Sequence, residues 1–480
     1  MIRSTFRAIT VKPLTKWLRA ATTLVAALAL SATAMPAQAL VPVPSAPMNP
    51  VVSGSGTAGG ETTMTVTWQA PLRPAGTATY QIQYTGDRGA TWLNAPDVAA
   101  PTTSASITGL TAGASYQVRL RAVDGTGLLS STWVLAAPKL DRFTQISAGG
   151  DTTCGVLRSG EVMCWGSNGS GQIGDGTTVD RPSPVYVSGL SNVTSVAVGG
   201  AHACAVLADG TLWCWGANGA GQLGDGTRIN SSVPGVVGSI SGVTQVAVGL
   251  AHTCALDTTG AVFCWGSNNQ GQLGTGDLID VLNPNLAISG LTGVSSIALG
   301  DAYSCAVRTA GTVACWGANG GGQLGDGTTT RRLVPTNVSG AITTFTQVDA
   351  GDSTTCGRTS ANTVYCWGNN TVGQVGDGTV LNRTAPTQVT GVTTATQVSV
   401  GPGFACARLS TSAVRCWGYN VAGQLGDGTT TNRSTSVAVT GLSTATAVTA
   451  GGVHTCALLS DNSVSCWGAN NAGQLGNGSH

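Results

Sequence analysis

Charge is scarce in this chain. Only 9% of its 480 residues are Asp, Glu, Lys or Arg. The basic ones form no cluster able to neutralise a phosphate backbone, which argues against nucleic-acid binding. Beyond the first forty residues no apolar run is long enough to cross a bilayer as a helix. Histidine is rarer still, four in all, and His202, His252 and His454 occupy one position of a repeated unit while His480 stands at the end. A catalyst needs a unique constellation rather than a recurring one. No nucleophile elbow, phosphate-binding loop or zinc-protease motif is present. The turn acids Asp175, Asp225, Asp326, Asp377 and Asp427 come one per unit, whereas a calcium loop needs several oxygen ligands at alternating positions. These absences lead us to expect a protein that is not an enzyme and carries no metal and no cofactor.

Glycine, with 69 residues, and tryptophan, with 12, are plentiful. That profile suits short strands and tight turns. The first residues differ from the rest. Arg3, Arg7, Lys12, Lys16 and Arg19 precede the apolar stretch TLVAALALSATAM and the small-x-small triplet Ala37-Gln38-Ala39. This is the order of a secretory signal peptide over residues 1–39. Its removal takes away five of 22 basic residues, leaves all 21 acidic ones, and gives a net charge of about −4. A secreted, soluble, extracellular protein without stable membrane insertion is expected.

Residues 45–138 contain no cysteine. Met64, Val66 and Trp68 alternate, as do Tyr80, Ile82 and Tyr84, and Tyr116, Val118, Leu120 and Ala122. Period-two patterning between Gly, Pro and Thr clusters predicts an antiparallel β-sandwich. The stretch ITGLTAGASYQVRLRAVDGTG is similar to the end of a fibronectin type III domain, with Leu110, Tyr116 and Trp68 at that family's leucine, tyrosine-corner and strand-B tryptophan places. The resemblance implies a spacer or generic binding unit. The family's adhesive Arg-Gly-Asp is absent, since Gly86-Asp87-Arg88 has the wrong order.

Residues 144–480 repeat. Cysteines pair as Cys154 with Cys164, Cys204 with Cys214, Cys254 with Cys264, Cys305 with Cys315, Cys356 with Cys366, Cys406 with Cys416 and Cys456 with Cys466, and the pairs recur every 50 or 51 residues. A period near fifty predicts a propeller with one blade per unit. Within CAVLADGTLWCWG the loop Ala208-Asp209-Gly210 closes a hairpin whose last loop residue takes the left-handed conformation. Gly160, Gly210, Gly260, Gly311, Asn362 and Asn462 suit that place, whereas Ser412 predicts a looser turn. Counting outward from the loop sets Cys204 opposite Cys214 on a non-hydrogen-bonded pair, where side chains lie closest. Each hairpin is thus expected to close on itself by a structural disulfide. Reduced thiols, C-x-x-C redox chemistry and zinc fit the leader and the spacing less well. The tryptophan after each second cysteine falls on the opposite face of the strand and is expected to pack between blades.

The run C-W-G-x-N-x-x-G-Q-L-G-D-G-T after G-x-x-H-x-C-A-L resembles the repeat of the regulator of chromosome condensation family, whose members are seven-bladed β-propellers. The resemblance implies an all-β fold in which a seven-bladed propeller follows the sandwich. The family's nucleotide-exchange activity on a small nuclear GTPase does not carry over to a chain with an export leader and disulfides. A secreted bacterial propeller of this fold that blocks β-lactamases is the nearer analogue. Two partners fit. One is an extracellular protein held on one rim of the ring, with an enzyme to be inhibited as the sharpest case. The other is a cell-wall glycan, since fibronectin type III units accompany polysaccharide-active proteins. The least uniform positions are candidates for the rim: His202, His252, Tyr303, Phe404 and His454, with Thr227–Pro234 and Thr328–Pro335. Seven inner strands but only six V-x-G-L segments are present. Residues 132–143 are expected to supply the missing outer piece, failing which the seventh blade is incompletely paired or the chain is truncated.

Overall fold

The computed structural model describes residues 48–53, 63–69, 77–86, 91–110, 116–124, 134–135, 137–138 and 143–480. The proposed leader, residues 1–39, lies outside them, as do Asp87, Arg88 and Trp133.

Alternation places the core of the first region. Met64, Val66 and Trp68 of Thr63–Gln69 point inward, as do Tyr80 and Ile82 of Thr77–Thr85 and Val118, Leu120 and Ala122 of Gln117–Asp124. One sheet pairs Met48–Ser53 with Thr63–Gln69, and the latter with Ser104–Thr108. The other joins Thr77–Thr85 to Gln117–Asp124. Trp68 and Tyr80 meet edge to face with ring centroids 5.0 Å apart, bridging the two layers.

From Phe143 onward the chain forms seven sheets. Blades 1, 2, 4, 5 and 6 each have four antiparallel strands in sequence order, for instance Val193–Val198, His202–Leu207, Leu212–Gly216 and Ser231–Val236 in blade 2. Blade 3 has three, extended by the bridges Phe263↔Ala287 and Gly266↔Val281. Blade 7 has three: Ala445–Ala450, His454–Leu459 and Val464–Gly468.

The cysteine hairpins follow the counted register. In blade 2, Cys204 faces Cys214, Ala205 faces Trp213 and Val206 faces Leu212. The sulfur of Cys154 is bonded to that of Cys164, and Cys254 is bonded to Cys264. Cys305 is bonded to Cys315, Cys356 to Cys366, Cys406 to Cys416 and Cys456 to Cys466. With Cys204 and Cys214, all seven disulfides stay within their own hairpin. The Cα atoms of every pair lie 4.0 or 4.1 Å apart, the close spacing of a non-hydrogen-bonded position. Gly210 has φ 77° and Asn362 φ 62° at the loop end. Ser412 departs from expectation. It takes φ 64° and donates its N–H to Leu409 at 2.9 Å, just as Asn362 does to Thr359. The ladder and disulfide fix the turn, and the serine bears the steric cost.

Each blade is locked to the next by the same few contacts. The tryptophan indole Nε1–H donates to the glutamine carbonyl of the preceding blade's Gly-Gln-x-Gly loop, where x is Ile, Leu or Val: Trp215 to Gln172 at 2.8 Å, Trp265 to Gln222 at 2.9 Å. Trp165 of blade 1 does the same to Gln474 of blade 7 at 3.0 Å, so the ring is closed. Near the axis, Gln145 pairs its amide with the N–H (3.0 Å) and carbonyl (2.8 Å) of Val196, mimicking a strand pairing. Gln245, Gln347 and Gln397 repeat this clamp. Ser195, Ser296 and Ala447 stand where the glutamine is missing.

The expected loan of residues 132–143 to blade 7 does not occur among the described residues. Val134–Leu135 pairs with Gln117–Asp124, and Ala137–Pro138 runs parallel to Met48–Ser53. The sandwich claims these strands, and among the described residues no strand pairs with the outer edge of blade 7's third strand, whose residues are all half-buried.

Candidate functional site

The propeller has two unlike faces. On one, the turn face, lie the cysteine hairpin loops and the connections between blades. Their residues are mostly small or polar, as in Ser159, Asp209, Thr259 and Ala361. On the other, the loop face, lie the turns after each inner strand and the long loops from Asn218 and its equivalents to the fourth strand.

A buried asparagine builds each long loop. Asn218 Oδ1 accepts the N–H of Leu223 at 2.9 Å, and its Nδ2–H₂ reaches Asp225 Oδ1 (3.1 Å) and the carbonyls of Thr227 (3.3 Å) and Ile229 (3.1 Å). Asp225 in turn accepts the N–H and hydroxyl of Thr227, each at 2.9 Å. Buried without these partners, the amide would cost a few kcal/mol. In four blades an arginine completes the loop, pairing Arg181 with Asp175, Arg332 with Asp326, Arg383 with Asp377 and Arg433 with Asp427 at 2.5–2.8 Å. Thr177 and Arg181 outweigh burial and hold the Asp175 carboxyl below its ordinary range.

This scaffold consumes the backbone polarity and leaves the loop tips free. Val179 is 62% exposed, Ile229 74%, Ile279 69% and Leu381 63%, with Leu278, Val380 and Val421 also in solvent. Leu250 is exposed at the turn after the third inner strand. The other exposed large aliphatics of the propeller, Val233, Val236, Leu286 and Val334, sit on its outer wall. Among the described residues the turn face has none.

At the axis the seven inner strands line a cavity of about 470 Å³. It extends from the row of Gln145 to the loop-face turns. Those turns carry Gly150, Gly200, Leu250, Asp301, Asp352, Pro402 and Gly452 at one repeat position. Asp301, Asp349 and Asp352 are its charged lining residues, and none of the lining residues is basic. Burial first, then the neighbouring charge of Asp352, pushes Asp301 up to about 6. Burial also pushes Asp349 up to about 6, against the N–H of Val400 (2.9 Å) and of Ala350 (3.0 Å). Burial and then Asp180 raise Asp151.

The five residues proposed for a rim lie elsewhere. The side chains of His202, His252, Tyr303, Phe404 and His454 are wholly buried between blades and offer nothing to a partner. Position variability there reflects matching across a seam. His202 Nε2 meets Thr253 Oγ1 at 2.9 Å, His252 meets Ser304 at 3.0 Å and His454 meets Thr153 at 2.7 Å. Tyr303 Oη donates to the Thr354 carbonyl at 2.8 Å and lies 2.9 Å from Thr355 Oγ1. Where blade 1 has Thr152 and blade 5 has Thr354, the facing residues are Ala203 and Ala405. Each hydroxyl already donates to a loop carbonyl, as Thr253 does to Gln222 at 2.8 Å. The imidazole must therefore donate from Nε2, leaving Nδ1 bare and without a partner. Burial accordingly depresses His202 and His252 to about 3 and His454 to about 4. Of the sequence candidates, the loop stretches Thr227–Pro234 and Thr328–Pro335 do reach the loop face, through Ile229 and Arg331. Asp301, Asp352 and Leu250 were missed. Their signal was the departure from glycine after the inner strand.

Seven repeated sheets closed around an axial cavity, with side-chain diversity concentrated at one face, define a seven-bladed β-propeller. The chain belongs to the RCC1-like domain family, whose profile matches residues 127–343 and 191–480, and residues 45–136 match the fibronectin type III domain. It is 36% identical over 114 residues to the Ultraviolet-B receptor UVR8 of Arabidopsis thaliana, a stretch covering 23% of this chain and 26% of that receptor. The chain thus spans about a quarter of that curated relative. Among solved structures it is similar to yeast RCC1 (Prp20) in complex with Kap60 (TM-score 0.60, 18% identity, 83% of this chain and 91% of that one). It is likewise similar to human WBSCR16 (TM-score 0.61, 20% identity, 79% and 99%). These last two likenesses concern the fold alone.

Proposed function

We propose that the protein is a secreted, non-catalytic scaffold that binds an extracellular protein through its propeller, with inhibition of an enzyme as the sharpest form of that role. The observation that carries this reading is the division of labour within each repeat. Buried positions serve packing in all seven blades, while the exposed loop tips differ from blade to blade, as a binding surface on a rigid frame does. Seven disulfides and no free cysteine support assembly in an oxidising compartment. Among the described residues no three His, Cys, Asp or Glu side chains gather as a metal site would require. A relative was solved with Kap60, and another structure of Prp20p concerns its binding to Gsp1p and histones, which lends general support to protein recognition by this fold.

The test is expression with the native leader, recovery of the chain from the medium, and affinity capture of medium and cell-wall fractions on the mature protein. Saturable retention of a protein supports the reading. Retention only on wall polysaccharide would replace it with a glycan-accessory role, for which the fibronectin type III domain is the supporting observation. Recovery solely from the cytoplasm would sink it.

A further inference from the structure

The geometry points to the loop face as the docking surface for a protein partner that inserts one lysine or arginine side chain into the axial mouth. The inference rests on the binding-scaffold reading and names its surface and chemistry. Two independent features meet at this face. One is the crown of exposed aliphatic tips, chiefly Val179, Ile229, Ile279 and Leu381; the loop asparagines bind the carbonyls of Val179, Ile229 and Leu381 and Asp277 accepts the N–H of Ile279, so the backbones are held while the side chains stand in solvent. Exposed aliphatics on a polar-rimmed rigid frame mark interaction sites. The other is the acidic mouth. Half-buried Asp301 and exposed Asp352 both line the cavity, and no basic side chain lines it beside them.

Elsewhere on this face five carboxylates are answered by an arginine. Asp175, Asp326, Asp377 and Asp427 each hold an arginine, and Asp280 holds Arg228 at 3.0 Å. Asp301 and Asp352 hold none; unlike Asp151, Asp225 and Asp277, which also lack an arginine, they line the axial cavity. Charge complementarity therefore asks for a cation from outside. A small free cation would leave the aliphatic crown in water, whereas a polypeptide presenting a basic side chain within an apolar patch covers both. The mouth and the loops are continuous, since a Cβ at Gly403 would meet Val372 of the neighbouring blade's loop at 3.6 Å. The mouth is also lopsided. Blades 3 to 6 present Leu250, Asp301, Asp352 and Pro402, and blades 7, 1 and 2 present glycine, whose backbones close on one another, Gly452 N–H donating to the Gly150 carbonyl at 2.6 Å, so the inserted side chain meets the mouth on the flank of Asp301 and Asp352.

The experiment uses the full secreted chain and a displayed library of random constrained peptides. Binders are selected on the wild type, then measured on three variants. The mouth variant combines Asp301→Asn with Asp352→Asn, the crown variant combines Ile229→Ser with Leu381→Ser, and Asp209→Asn is a control on the opposite face. Selected peptides are expected to carry a basic residue beside aliphatic or aromatic ones. The mouth variant should weaken them at least about thirty-fold, the crown variant about ten-fold, and the control less than two-fold. Unchanged or raised thermal midpoints would show that the variants are folded. Binders that lack a basic residue, or that are lost on the Asp209 variant but not the mouth variant, would overturn the inference while leaving the scaffold reading intact. Concentration-dependent dimerisation abolished by the crown substitutions would assign the face to a second copy and overturn it too. Peptides that bind as expected, with no natural protein captured, would uphold the surface and sink the scaffold reading.

Discussion

Acid should loosen the joints between blades before it harms the blades themselves. His202, His252 and His454 are wholly buried, each donates from Nε2, and each has an Nδ1 that a new proton would leave without an acceptor. Their folded-state values of about 3, 3 and 4 lie below the unfolded value near 6.5. The unfolded chain therefore binds more protons than the folded one as pH falls below 6.5. The stability these groups contribute is complete above that pH and is lost progressively down to about 3 to 4. At pH 5 the loss is about 2 kcal/mol per histidine, or about 6 kcal/mol for three. Asp301 and Asp349 act in the opposite sense. Their values, raised to about 6, make folding more favourable as pH falls through 6 toward 3.8, and at pH 5 they return up to about 1.4 kcal/mol each. Part-exposed Asp301 returns less than this because solvent screens it. Raised Asp151 works in the same direction. The turn aspartates such as Asp175 and Asp326, held low, matter only below about pH 4. The net expectation is a fall of about 3 kcal/mol between pH 7.5 and pH 5, read from urea midpoints with the disulfides intact. Replacing the three histidines by phenylalanine, the residue blade 6 already uses at Phe404, should flatten or reverse the slope. An identical slope in the wild type and the triple variant would refute the reasoning.

Other expectations follow from single contacts. Ser412→Gly or Ser412→Asn should raise stability by about 0.5–1 kcal/mol by relieving the left-handed serine, seen as a higher thermal midpoint. Ser195→Gln should install the missing axial clamp between blades 2 and 3 and add about 0.5–1 kcal/mol after side-chain ordering, measured by denaturant unfolding. Trp165→Phe and Trp265→Phe each remove one indole-to-carbonyl bond and should cost a similar amount, about 1–3 kcal/mol. A far smaller cost at Trp165 would mean that the closing seam is looser than the rest.

The repeat told most of the fold in advance because its constraints are local. Ten residues between cysteines, a left-handed loop residue and a tryptophan on the opposite pleat determine a hairpin without reference to anything distant. What stayed hidden depends on neighbours about fifty residues away. His202 differs from Thr152 because the residue facing it is Thr253 rather than an alanine, and that partnership leaves no mark within either repeat. Diversity at such positions therefore looked like surface when it was core. Ser412 was misjudged for a related reason: local preference is worth about 1 kcal/mol, and a cross-linked ladder overrides it. The outer strand of blade 7 could not be assigned from sequence because Val134 and Leu135 suit either sheet, and the sandwich holds them. The acidic mouth was visible only as a glycine position that fails in four units.

The seam joining the last blade to the first carries the tryptophan-to-carbonyl and histidine-to-threonine bonds found at other joints, and among the described residues no strand is handed across it. Blade order along the gene is then arbitrary for this architecture. A circular permutant of the propeller cut in the connection between blades 1 and 2, with residues 480 and 143 bridged by a segment as long as residues 431–444 of blade 6, retains all seven joints. Recombination that shuffles, duplicates or trades whole units would alter what the loops present without redesigning how the wheel holds together.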